Sequence, residues 1–158
     1  MASTIAHAAS ASLVALTAAQ VRPDQTALVL TALVSASVLD LDHLVYIFRD
    51  RAMYRRLGYR GNLHHARSLF HELPGLLTVG VVSGFVFLAN PKLARVIFIA
   101  FTIHLVEDWF LGKSAPFKPV DHTMMRVFPL KQWHKVAIDI LIIVVSSVLW
   151  IQYLNADL

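Results

Sequence analysis

The chain has 158 residues, of which 57% are apolar and only 15% are charged, and it contains no cysteine. Its mean hydropathy of +0.61 is far above that of a soluble domain, since so few charged residues cannot cover a water-soluble globule. The composition excludes a disordered chain, a disulfide-stapled secreted scaffold and a cysteine-based zinc or iron–sulfur site. Because this length accommodates one domain, we predict a single integral-membrane domain of the all-α class over residues 1–158.

Five apolar stretches predict a bundle of about five helices, each compared with the roughly 20 residues that cross a hydrocarbon core. The first stretch, about residues 5–21, is alanine-rich and of marginal length. We expect it to be a helix rather than a cleaved signal peptide, because no basic residue precedes its apolar part. The second stretch covers about residues 25–48, the third 73–89, the fourth 93–111 and the fifth 136–154.

The distribution of the 14 Lys and Arg residues predicts the orientation of the bundle. Six follow the second stretch and five follow the fourth, which leaves three for the opposite side. By the positive-inside rule, both basic loops and the N-terminus are expected to be cytoplasmic. The net charge of +4 therefore indicates orientation and contact with membrane lipids, and we expect no nucleic-acid partner.

With this topology, all eight histidines and most carboxylates fall at cytoplasmic helix ends or in cytoplasmic loops. A charged group within a span costs roughly 2.5–3.5 kcal/mol, so such groups usually face partners inside the bundle. A divalent cation would neutralise the carboxylates and accept imidazole nitrogen as a ligand. The candidate ligands at these helix ends are His7, Asp40, His43, His71, His104 and Asp108.

Helical spacing supports part of this set. His104 and Asp108 are four residues apart and share one helical face, as do Asp40 and His43 at a spacing of three. Asp42 lies about 160° around a helix from Asp40. Either the helix unwinds there, or Asp42 is an outer group beside the site.

These residues also form motifs that resemble those of the membrane-bound metal-dependent hydrolase family, whose LexA-regulated type lies in bacterial inner membranes. The matching segments are D-L-D-H at 40–43, R-S-L-F-H at 67–71 and H-L-V-E-D at 104–108. The early His7 and the proline-bearing loop at 115–119 follow the same order. The resemblance implies an inner-membrane metal-dependent hydrolase. Through a distant likeness to zinc-dependent phospholipase C and P1 nuclease, it further implies phosphoester hydrolysis.

The second motif departs from the family pattern. Ala66 stands where the family has its first histidine, and Phe70 stands at the threonine. His64 or His65 takes the histidine's place if the alignment slips by one or two residues, which a loop tolerates. The departure affects one ligand and, with it, the second ion of a site that would hold two.

Histidine and aspartate without thiolate favour Zn²⁺, with Mn²⁺ or Fe²⁺ as alternatives, and the set suffices for one or two ions. Two ions would stabilise both the attacking and the leaving oxygen of a phosphoryl displacement. Asp42 or Glu107 would act as general base or orient a ligand histidine, and Arg67 would hold a phosphate oxygen. Beside a basic loop at the interface, a lipid or isoprenoid phosphate is the expected substrate.

Two functions of other classes compete with hydrolysis, and the sequence argues against one of them. A non-catalytic membrane subunit would use the metal or polar cluster to staple helices for a homo- or hetero-oligomeric partner. An ion conduit is disfavoured, because the polar residues are confined to one end and the other half offers little more than serines and Asp139.

Overall fold

The computed structural model describes the backbone of residues 4–49 and 69–156, and the side chains of 4–41 and 69–156. The described residues form five α-helices and no strand, apart from one isolated bridge between Ser114 and Met125. The predicted all-α class and the five helices are therefore confirmed. The helices are α1 (Thr4–Ala18), α2 (Thr26–Arg49), α3 (Leu73–Ala89), α4 (Pro91–Leu111) and α5 (Gln132–Asn155), with a 3-10 turn at Leu69–His71.

The helix ends follow from local sequence. Helices α3 and α4 are separated by the single residue Asn90, whose side chain accepts the backbone N–H of Leu93 at 3.0 Å and caps α4. Helix α5 begins at Gln132, four residues before the apolar run, because His134 Nδ1 accepts the backbone N–H of Lys131. Hydropathy alone does not detect such a polar first turn.

Helix α2 is continuous past the D-L-D-H segment to Arg49. The alternative in which the chain unwinds between Asp40 and His43 is therefore wrong. On this continuous helix, positions 40 and 43 share a face, and position 42 lies about 160° around the helix axis from position 40.

Helix α1 lies at the centre of the bundle, where it packs against α2, α4 and α5. Ala11 and Ala15 of α1 meet Ala36 of α2 and Ala100 of α4 in a fully buried cluster. Small side chains let helix backbones approach closely. The alanine-rich composition of α1 thus reflects contact with other helices rather than with lipid.

The outer surface is apolar. Helix α5 is the one described helix that is both long and apolar enough to cross a membrane, and only 6% of that stretch is buried inside the protein. Helix α1, residues Thr26–Leu41 of α2, and α3 are apolar but shorter. On α3, Phe85 and Leu88 are 72% and 84% exposed. An exterior of this kind suits lipid rather than water, while five crossings and a cytoplasmic N-terminus stay predictions.

Candidate metal centre

Polar side chains from four elements meet at one end of the bundle. His7 comes from the first turn of α1, Asp40 from α2, and His71 from the 3-10 turn before α3. His104 and Asp108 come from the last two turns of α4. The three imidazoles and the Asp108 carboxylate are fully buried. The structure thus brings together five of the six predicted ligands.

The cluster consists of two overlapping groups that share His104. His7, His104 and Asp108 offer ligand atoms within 4.8 Å of one another, and so do Asp40, His71 and His104. His7 Nε2 lies 3.5 Å from Asp108 Oδ1, and the other carboxylate oxygen, Oδ2, lies 3.9 Å from His71 Nε2. His104 Nε2 lies 3.7 Å from Asp40 Oδ1. Ligand atoms about 2.0–2.2 Å from a tetrahedral Zn²⁺ are themselves roughly 3.3–3.6 Å apart, so these separations are close to those around one ion.

The imidazole rings are held in fixed orientations. His104 donates its Nδ1–H to the carbonyl oxygen of Ala36. Since a carbonyl can only accept, the proton of a neutral His104 lies on Nδ1 and the lone pair lies on Nε2. The rings of His7 and His104 stack with centroids 4.0 Å apart and planes 17° apart. His71 meets His104 edge-on, at a centroid distance of 6.2 Å.

Glu107 lies behind His7 rather than inside the cluster. Its Oε2 accepts the Nδ1–H of His7 at 2.7 Å, and its Oε1 accepts the hydroxyl of Ser10 at 2.6 Å. A carboxylate that holds the outer nitrogen of a ligand histidine fixes both its tautomer and its ring orientation. Of the two roles expected for Glu107, this geometry favours orientation of a histidine over general base.

The inner nitrogens of His7 and His104 are buried and accept no hydrogen bond from the described residues. Burying a polar atom without a partner costs about 1–3 kcal/mol. Two such nitrogens, facing two carboxylates, form a donor set that a divalent cation would satisfy.

Three predicted residues lie outside the described side chains. Asp42 and His43 belong to the helical backbone of α2, and Arg67 precedes the 3-10 turn. Their assignments as general base, metal ligand and phosphate-binding group stay predictions, as does the replacement of the motif histidine by His64 or His65.

Sequence reasoning assigned no role to Glu72 or to Ser10. Glu72 is buried, and its Oε1 accepts the backbone N–H of Ala115 at 2.9 Å. Trp109 donates its indole N–H to the carbonyl oxygen of His71 at 3.3 Å. The Glu72 contact fixes the loop after α4 against the His71 turn, and the Trp109 contact fixes α4 itself against the same turn. For Ser10, the signal was its spacing of three from His7, which places both on one face of α1.

Comparison with known proteins identifies one family. A family model described as YdjM inner membrane protein matches residues 1–156. No curated protein and no solved structure shows a significant match to the chain. The match covers nearly the whole sequence and agrees with the apolar exterior of α3 and α5. The chain therefore belongs to the YdjM inner membrane protein family and is located in the inner membrane.

Proposed function

We propose that this protein is a membrane-embedded, metal-dependent hydrolase whose buried histidine–aspartate cluster holds a divalent cation. The observation that supports the metal site best is the pair of inner nitrogens on His7 and His104. Both are buried without a hydrogen-bond partner among the described residues, and both outer nitrogens are engaged by an acceptor. The arrangement directs two lone pairs toward the carboxylates of Asp40 and Asp108.

The donor chemistry favours Zn²⁺, with Mn²⁺ or Fe²⁺ as alternatives. The two groups of ligand atoms share His104. Because its Nδ1 is engaged by the Ala36 carbonyl oxygen, His104 has one lone pair to offer, on Nε2, and one lone pair binds one ion. The described residues therefore support one ion, held by His104 with His7 and Asp108 or with Asp40 and His71. A second ion would need further ligands, for which Asp42 and His43 are the candidates.

Hydrolysis is supported by the resemblance of the three motifs to a metal-dependent hydrolase family. A bound cation would supply Lewis acidity for activating water and for stabilising phosphoryl oxygens. Glu107 would hold His7 in its ligating tautomer, and Arg67 would bind a phosphate oxygen. We propose a lipid or isoprenoid phosphate as substrate, because the cluster lies at one end of an apolar bundle, where lipid headgroups are within reach.

A second candidate function is a non-catalytic subunit in which the ion staples helices for a partner. One observation favours it: His7, His71, His104 and Asp108 are each 0% exposed. A structural metal site is closed, whereas a catalytic site keeps one position open to water and substrate.

The test is metal analysis of the full-length chain, purified in detergent, for the wild type, His104→Ala and the control His122→Ala. His122 is exposed in the loop after α4. We expect stoichiometric metal in the wild type and the control, and its loss in His104→Ala. Equal metal content in all three proteins would refute the site.

The same three proteins are then assayed for phosphate release from phosphatidic acid and from an isoprenoid diphosphate. Turnover by wild type and His122→Ala, but not by His104→Ala, supports the hydrolase. Metal binding without turnover on either class supports the helix-stapling function.

A further inference from the structure

A groove between α3 and α4 lies at the end of the bundle opposite the histidine cluster. Its volume is about 330 Å³, and it is lined by Gly80, Ser83 and Gly84 of α3 and by Arg95 and Phe98 of α4. Because α3 begins and α4 ends at the cluster, the groove occupies the far half of this helical hairpin. It is therefore separate from the proposed metal site.

Packing against the described residues does not require glycine at the two glycine positions of the groove. A Cβ atom added at Gly84 would meet nothing within 4 Å, and one added at Gly80 would lie 3.8 Å from a ring carbon of Phe98. Gly75 on the same helix differs, since its added Cβ would lie 2.0 Å from the carbonyl oxygen of Phe70. The space at Gly80 and Gly84 is thus open to something outside the chain.

Two polar groups in the groove, the Ser83 hydroxyl and the Arg95 guanidinium, are not engaged by a hydrogen bond and an ion pair, respectively, from any described residue. Ser83 is 6% exposed, and its hydroxyl makes no hydrogen bond within the described residues. Thr78 on the same helix, by contrast, donates to the carbonyl oxygen of Pro74, as helical hydroxyls in membranes commonly do. Arg95 makes no ion pair with any described residue.

We propose that this groove binds one phospholipid molecule, with an acyl chain along Gly80 and Gly84 and the phosphate at Arg95. From Gly80 to Phe87 the groove follows seven residues of α3, about 10 Å of helix at roughly 1.5 Å per residue. That length accommodates the upper part of an acyl chain. Arg95 lies one turn from the start of α4, near the helix end where a phosphate group would lie.

Charge favours a lipid over a second copy of the chain. Helix α3 contains no acidic residue, so the α3 of a second copy would bury Arg95 without a counter-ion. A phosphate provides that counter-ion and accepts bidentate hydrogen bonds from a guanidinium. The buried Ser83 hydroxyl can donate to an ester oxygen of the same lipid.

The test is native mass spectrometry of the full-length chain in detergent, titrated with phosphatidylglycerol. Arg95→Gln removes the cation, and Gly84→Leu fills the groove at a position where a side chain has room to fit. The matched controls are Arg22→Gln and Val81→Leu. Arg22 lies at the same end of the bundle and is already paired, since its hydrogen bond to Asp24 lowers the pKa of that carboxyl.

We expect Arg95→Gln to weaken the affinity for phosphatidylglycerol roughly fivefold, since one basic residue contributes about that factor to the binding constant for an anionic lipid. Gly84→Leu should abolish the adduct, and both controls should bind as the wild type does. Wild-type binding by Arg95→Gln and Gly84→Leu would overturn the proposal. If circular dichroism shows that Gly84→Leu does not fold, the lipid binding of Arg95→Gln alone decides whether the proposal holds.

A second measurement tests whether the groove holds a second copy of the chain instead of a lipid. The chain contains no cysteine, so Gly84→Cys introduces a single thiol into the groove. Oxidation in native membranes should leave this variant monomeric, because a lipid fills the groove. Efficient disulfide cross-linking between two copies through Gly84→Cys would assign the groove to a helix–helix contact and overturn the lipid proposal.

Discussion

Replacement of Glu107 by alanine removes the acceptor that holds the Nδ1–H of His7 at 2.7 Å. His7 then loses both its preferred tautomer and its ring orientation, while its inner nitrogen still lies 3.5 Å from Asp108. Loss of such an outer partner typically weakens metal binding about 10–100-fold, which corresponds to about 1.4–2.7 kcal/mol. Glu107→Gln keeps an oxygen acceptor but loses the charge, so we expect it to weaken metal binding about 10-fold or less.

The assay is competition for Zn²⁺ between the purified full-length chain and a chromophoric chelator. Asp121→Asn is the matched control, because Asp121 is an exposed carboxylate that caps a turn through Thr123. The control should bind Zn²⁺ like the wild type. Zinc affinity in Glu107→Ala that equals the wild-type value would refute the orienting role of Glu107. A larger loss in Glu107→Gln than in Glu107→Ala would contradict the hydrogen-bond argument.

Chelation of the metal should lower the Tm of the wild type but not that of His104→Ala, because an ion at a hundred times its Kd stabilises the fold by about 2.7 kcal/mol. An equal change in Tm in the two proteins would contradict this prediction. Gly75→Ala should displace the Phe70 backbone and reduce metal binding. Gly84→Ala should leave the metal content unchanged and should not lower the Tm, because its Cβ meets nothing within 4 Å and alanine favours a helix over glycine. Glu72→Ala leaves the Ala115 N–H without its acceptor, which costs about 1–3 kcal/mol. Trypsin should then cleave the loop after α4 faster than in the wild type. Glu72→Gln should largely restore the resistance of this loop to trypsin.

The sequence predicted the elements that hydropathy and helical spacing determine. The five apolar stretches match the five helices, and the spacing of His104 and Asp108 places both in the buried cluster. His7 and His71 also reach this cluster, because each lies where a helix begins and the alternating direction of the helices brings these ends to one side. Asp40 reaches it from inside α2, nine residues before the end of that helix.

Other features depend on individual atoms and could not be derived from periodicity. A period of 3.6 residues places Glu107 near the site but does not tell whether its carboxylate faces the cluster or the outer nitrogen of His7. Glu72 contacts Ala115, 43 residues later, and no local pattern encodes such a distant contact. From its low hydropathy, α1 was predicted to be a marginal membrane span. In the structure, α1 lies inside the bundle and packs against three other helices through its alanines.

X-ray absorption at the zinc edge, on the full-length chain purified with Zn²⁺, tests the metal centre most directly. We expect imidazole nitrogen and carboxylate oxygen at about 2.0–2.2 Å from the zinc, with no sulfur, and a weaker imidazole signal in His104→Ala. A spectrum of water oxygens alone, or one that His104→Ala leaves unchanged, would contradict this expectation.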